Sequence, residues 1–174
     1  MRKVKPTKML RTRLNQVADG SIFTHNGIRY IRLSSDHEYG RGVFATTLYP
    51  SCTLPSNCMG VYGRSLEERI VDAFIDNVCF TTHPDIITYG VADADDYRNY
   101  IDFLRPHIND CWYVDMGVED SLEEGEYFYV DEFGNLEKGN ECDEQIDSVV
   151  RTIGLRAMYW FEPKAEVLIP AEKK

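Results

Sequence analysis

Asn26-Gly27 stands between two apolar-rich runs, Ser21-Ile22-Phe23-Thr24 and Ile28-Arg29-Tyr30-Ile31-Arg32-Leu33. A two-residue hairpin whose turn follows the twist of its strands needs positive φ at both central positions, and Asn and Gly tolerate it. A turn at His25-Asn26-Gly27 is therefore expected, with antiparallel strands on either side. Along the second strand Ile28, Tyr30 and Arg32 fall on one face, and Arg29, Ile31 and Leu33 on the other. Val43 to Leu48 is a further candidate strand after a loop at 36–42. Residues 49–64 read as irregular loop, punctuated by Pro50, Pro55, Asn57, Gly60 and Gly63.

Two helical patterns follow. Ser65-Leu66-Glu67-Glu68 has the form of a capping box, in which the Ser hydroxyl takes an orphan amide and Glu68 reaches back. Leu66, Ile70 and Phe74, joined by Val71 and Ile75, make an amphipathic stripe that ends near Asn77. The second pattern runs from about Ala94 to Leu104. Asp93 suits its cap, Asp95 and Asp96 suit its positive end, and Tyr97, Tyr100, Ile101 and Leu104 form the stripe before Pro106. Trp112-Tyr113-Val114 reads as a short buried strand. Glu126 to Val130 alternates, turns through 131–135 and returns. Ile153 to Phe161 and Ala165 to Ile169 read as the final strands. Short antiparallel strands with two mid-chain helices predict an α+β domain.

The 174 residues suffice for one domain with a real core, and 43% hydrophobic content argues against disorder. Charge is divided unevenly. Arg2, Lys3, Lys5, Lys8, Arg11 and Arg13 stand in the first thirteen residues with no acidic partner. The remainder has 13 Lys/Arg (19 less 6) against 29 Asp/Glu, a net charge of −16. Residues 1–18 therefore read as a basic N-terminal arm, its end anchored by Leu14 and Val17 in a short helix, and 19–174 as the single α+β domain. An acidic body argues against general nucleic-acid binding, while the arm suits an acidic surface or a phosphate backbone. Five cysteines without a CxxC pair fit a reduced compartment. Neither a signal-peptide core nor a membrane span is present, so a cytoplasmic or virion-associated location is expected.

The order of elements resembles a family of small domains of gut bacteria and their phages. These are related to the C-type-lectin-like and formylglycine-generating-enzyme-like fold. The resemblance is carried by the hairpin His25-Asn26-Gly27-Ile28-Arg29-Tyr30-Ile31-Arg32-Leu33 and the helix start Ser65-Leu66. It continues through Asp95-Asp96-Tyr97-Arg98-Asn99-Tyr100, Cys111-Trp112-Tyr113-Val114 and the turn Phe133-Gly134-Asn135. Its last element is Gly154-Leu155-Arg156-Ala157-Met158-Tyr159-Trp160-Phe161. It spans roughly residues 20–170 and implies a C-type-lectin-like fold of unassigned function. Ala157 replaces the family's Pro, and the strand at Trp112 lacks the Trp-Leu-Arg-Ser that follows in the family. Fold analogy carries no function by itself.

Reaction chemistry is thinly represented. His25, His37, His83 and His107 are scattered with no HExxH spacing, and His83-Pro84 reads as a turn. Cys52 and Cys58 lack a redox pattern. Gly40-Arg41-Gly42 and Gly60/Gly63 lack the residues of phosphate loops. Asn109-Asp110 beside Trp112 has the wrong order for a lectin calcium site, and the acidic run has no EF-hand spacing. No catalytic residue, metal or cofactor is expected. From 115 to 147 there are 13 acidic residues and one Lys. Asp115, Glu119, Asp120, Glu123, Glu124, Asp131 and Glu132 are the candidate acidic face. By period two, Arg156 and Trp160 share a side of the last strand, and with Tyr127 and Tyr129 they make a candidate recognition surface.

The expected function is a non-enzymatic protein-binding or structural module, phage-encoded, such as a minor virion, tail or decoration component. Its partner would be a protein, in a homo- or hetero-oligomer. The alternative is an acidic inhibitor that occupies the basic channel of a host nucleic-acid-binding enzyme.

Overall fold

The computed structural model describes residues 8–34, 42–50, 52–55, 66–77, 83–108, 110–141 and 152–171. Arg2, Lys3, Lys5, His37, Gly40, Arg41, Asn57, Cys58, Gly60, Gly63, Ser65 and Asn109 lie outside the described residues. Mixed α+β architecture is observed, with twelve strands in two sheets and two α-helices among the described residues.

The seven-stranded sheet has the order β1-β12-β2-β3-β4-β11-β6. Its strands are β1 (Met9–Arg13), β2 (Ile22–His25), β3 (Ile28–Ser34), β4 (Val43–Thr47), β6 (Ile86–Val91), β11 (Ala157–Phe161) and β12 (Glu166–Pro170). The five-stranded sheet runs β5-β10-β7-β8-β9. It consists of β5 (Cys52–Pro55), β7 (Trp112–Val114), β8 (Glu126–Val130), β9 (Leu136–Asn140) and β10 (Thr152–Leu155). Pairing is antiparallel except between β10 and β7. In sequence, helix α1 (Leu66–Asn77) lies between β5 and β6, and helix α2 (Ala94–Leu104) between β6 and β7.

Local chemistry accounts for much of this. Asn26 and Gly27 take φ of 49° and 79°, and His25 pairs with Ile28, so the two-residue turn forms as expected. Asp93 and Asp96 form a reciprocal capping box at the start of α2, where Asp96 N donates to Asp93 Oδ1 at 2.7 Å.

Period-two alternation divides the core. Ile31, Leu33, Phe44 and Met158 project from the large sheet into the central layer, where they meet Tyr97 and Leu104 of α2. Trp112, Val114, Phe128 and Val130 of the small sheet close that layer from the other side. Tyr30, Val43, Ala45, Tyr159 and Phe161 point the opposite way and pack on Leu14, Val17, Ala165 and Val167. On the far side of the small sheet, Tyr113, Tyr127, Tyr129, Ile153 and Leu155 receive Leu66, Ile70 and Ala73 of α1. Each fully buried large apolar side chain contributes about 2 kcal/mol.

Three strands depart from expectation. The end of the basic arm is β1, paired with β12 from Met9↔Pro170 to Arg13↔Glu166. Arg11 and Arg13 are strand residues, Leu14 and Val17 are buried, and the folded body includes residues 9–18. Backbone pairing to β12 outweighs the preference of an isolated basic segment for solvent. Strand β5 falls in the expected irregular loop, and β6 had no distinctive pattern. Both are edge strands, and β6 is only partly buried on either face, so its side chains carry no clear alternation.

Packing is close enough at Gly139 to exclude a methyl group. A Cβ there would lie 2.4 Å from the Tyr127 ring, which is itself buried. Gly139→Ala is expected to lower stability by about 1–2 kcal/mol, measured by urea unfolding. An unchanged midpoint would show that the Tyr127 ring can yield.

Candidate functional site

The candidate recognition surface does not form. Tyr127 is 3% exposed, Tyr129 9% and Arg156 1%, because β8 is covered on both faces and Arg156 sits where β10 passes into β11. Trp160 is half-buried and packs against Phe44, with ring centroids 4.7 Å apart. The Arg156 guanidinium lies 4.6 Å from the Trp112 ring centroid and donates to the carbonyls of Thr47 and Leu48. Its Nε and the Trp112 Nε1 are buried without a hydrogen-bond partner. Burial holds its pKa down to about 10, so it remains charged at neutral pH. This is a core cation and not a recognition group.

The acidic run is parted by β8. Asp115, Glu119, Asp120, Glu123 and Glu124 belong to the segment joining β7 to β8, whereas Asp131 and Glu132 lie in the β8–β9 turn. Since Val114 pairs with Phe128 and Trp112 with Val130, the two groups sit at opposite ends of the strand. Five residues of strand separate them by about 17 Å. Asp131 is also engaged within its own turn, accepting from Phe133 N at 2.9 Å and Asn135 N at 2.8 Å. The seven carboxylates therefore do not make the single face expected.

The first group does build a site. Arg98 on α2 donates from Nη1 to Asp120 Oδ2 at 2.8 Å and from Nη2 to Oδ1 at 3.0 Å. The same Nη1 is 3.1 Å from Asp95 Oδ1. Asp95 Oδ2 accepts from Val118 N at 2.9 Å, and Asp120 Oδ2 from Gly117 N at 2.8 Å. Hydrogen bonding from Arg98 holds the Asp120 carboxyl below its usual range. The loop is thus tied to the first turn of a packed helix. It presents Val118, 94% exposed, and Met116, 50% exposed, to solvent.

Beside this tip lies a cavity of about 330 Å³. Leu66, Tyr113, Met116, Leu122 and Tyr127 supply apolar and aromatic lining, and Asp115, Glu123, Glu124, Glu126 and Glu141 supply carboxylates. Glu141 is almost fully buried and accepts from the Leu66 amide at the start of α1 at 2.8 Å. Tyr113 Oη donates to Asp115 Oδ1 at 3.3 Å. Among the described residues, no histidine, cysteine or serine lines the cavity. A cation with an aliphatic stem matches these walls, since the stem can lie on the rings while the charge meets the carboxylates. Among the expected residues, Asp115, Glu123, Glu124 and Tyr127 are brought together here; Arg98, Met116, Val118 and Glu141 were not foreseen. The Asp95/Arg98 spacing on α2 was the available signal for the brace, but its link to Asp120 is long-range.

Elsewhere, His25 and His83 meet at Asp85, whereas His107 lines a different cavity together with Arg156. Among the described residues, no helix is long and apolar enough to cross a membrane. No protein-family model, curated protein or solved structure matches the chain.

Proposed function

We propose that this chain is a non-enzymatic protein-binding module whose partner inserts a Lys or Arg side chain into the acidic cavity beside the 115–125 loop. One observation carries this: an exposed apolar tip, held by the Asp95–Arg98–Asp120 brace, borders an aromatic cavity ringed by carboxylates. Apolar anchors beside a polar rim on a rigid support are the anatomy of an interface hot spot. The chain's net charge of −10 favours encounter with a basic partner. The resemblance to phage and gut-bacterial C-type-lectin-like domains supports a role as a minor virion, tail or decoration component, where loops on a stable base bind neighbours. The inhibitor alternative required one continuous acidic array, and the separation across β8 removes its basis.

Immobilised protein exposed to peptides with a central Lys or Arg between apolar residues tests the proposal. Binding should be salt-sensitive. It should weaken at least tenfold in Val118→Ser and in a Glu123→Lys, Glu124→Lys double variant, with unchanged melting temperatures. Equal binding by these variants, or by peptides with Gln at the centre, sinks it.

A further inference from the structure

We propose that His25, His83 and Asp85 form a binding site for a single zinc-type divalent transition-metal ion. His25 ends β2, while His83 and Asp85 occupy the turn that leads into β6. They are about sixty positions apart in sequence and converge through the fold. The Asp85 carbonyl accepts from Glu162 N at 2.7 Å, which anchors this turn to the end of β11. The Phe161 ring lies 5.2 Å from that of His25 and forms a dry wall.

The donor atoms are spaced for a shared ion. Asp85 Oδ2 is 2.9 Å from His25 Nε2 and 3.5 Å from His83 Nδ1. The two imidazole rings stand 4.6 Å apart, edge to face. One ligand atom from each residue lies within 4.8 Å of the other two. With metal–ligand distances of about 2.1 Å, neighbouring donors fall about 3.0 Å apart in an octahedral site and about 3.4 Å apart in a tetrahedral one. The 2.9 Å spacing is close to the octahedral edge and the 3.5 Å spacing to the tetrahedral one, so small side-chain rotations would bring the donors to a single geometry around the ion.

Hydrogen bonds link the trio: His25 Nε2 and Asp85 Oδ2 share one at 2.9 Å, and the Asp85 amide donates to His83 Nδ1 at 3.1 Å. An ion bound here would take the place of the proton between His25 and Asp85 and draw the His83 lone pair away from the amide, since metal ligation requires neutral imidazole nitrogens without a proton. His25 is 5% exposed and would be the inner ligand. His83 and Asp85 are about one-third exposed, which gives entry from solvent and leaves further positions for water. Two imidazoles and one carboxylate suit zinc and its neighbours better than calcium or magnesium, which prefer oxygen alone.

Cobalt(II) titration of the intact chain, followed by visible absorption, tests the site. One equivalent should bind with d–d bands of a nitrogen- and oxygen-ligated ion, and zinc should displace it. His83→Ala, at the outer ligand, should weaken binding at least tenfold without changing the far-ultraviolet circular dichroism. Asp85→Asn should do the same. Absence of binding at millimolar cobalt overturns the proposal, as does equal affinity in His83→Ala. An intense thiolate charge-transfer band would place the ion on cysteine and also overturn it. Lower melting with unchanged cobalt binding in either variant would assign the trio to the fold alone.

Discussion

Arg156→Ala is expected to destabilise the protein by about 4 kcal/mol. The side chain is among the largest fully buried groups in the chain. It fills the junction between the sheets, stacks on Trp112 and supplies donors to two backbone carbonyls. Truncation leaves a cavity, for which large-to-small changes cost about 3–5 kcal/mol. It also strands the Thr47 and Leu48 carbonyls, at about 1–3 kcal/mol each. Against this, the guanidinium has no carboxylate partner among the described residues, and its pKa falls from 12.5 to about 10 on burial. Removing it recovers roughly 3 kcal/mol of desolvation. Arg156→Met separates the terms, because it retains most of the volume and discards the charge. Its expected loss is less than half that of Arg156→Ala. Urea unfolding of both variants provides the measurement, and a melting point about 10 °C lower is expected for the Ala variant. A loss under 1 kcal/mol for Arg156→Ala would remove Arg156 from the core framework. Equal losses for Ala and Met would assign the effect to the carbonyl bonds alone.

Stability should decline as pH rises from about 4 to about 7, and Asp96→Asn should abolish that decline. Burial raises the Asp96 pKa from 3.8 to about 7, with repulsion from Asp93 and Asp95 adding to it. The folded pKa lies above the unfolded one, so the folded state holds the proton more tightly. The resulting stabilisation is complete below the unfolded value and is lost as pH passes through the folded value. Full linkage over this window is about 4 kcal/mol, and solvent screening of a partly exposed carboxyl reduces the expected effect to about 2 kcal/mol. Asn keeps a side-chain oxygen for the Asp93 amide, the bond that Asp96 Oδ2 makes at 3.2 Å. The variant should therefore exceed wild type by about 2 kcal/mol at pH 8 and match it near pH 4. Parallel curves of unfolding free energy against pH would show that Asp96 is not the group responsible.

Elements governed by neighbours in sequence were legible. The Asn26-Gly27 hairpin and the Asp93-capped helix follow from turn geometry and capping, which act over two to four residues. The end of the basic segment misled because charge was its most prominent property, whereas its backbone pairs along five positions with a strand more than 150 residues away. Tyr127 and Tyr129 looked like surface groups because aromatic alternation is the same whether a strand's second face meets water or a helix. The parted acidic run has a similar origin, since composition counts carboxylates without saying which side of β8 each occupies.

The candidate sites were less legible than the fold. Asp115, Glu123 and Glu124 could be named, but Arg98 and Val118 acquire meaning only when α2 is laid beside the loop. His25 and His83 read as isolated residues, and Asp85 carried no signal at all. The sequence by itself determined the mixed strand-and-helix composition, the hairpin, the Asp93 helix cap and the acidic character, because these depend on short-range periodicity, backbone sterics and charge count. Only the tertiary structure decided which faces were buried, where β1 docked, and which distant side chains met. Those outcomes depend on sheet order and layer packing, set by contacts between residues that the linear chain holds far apart.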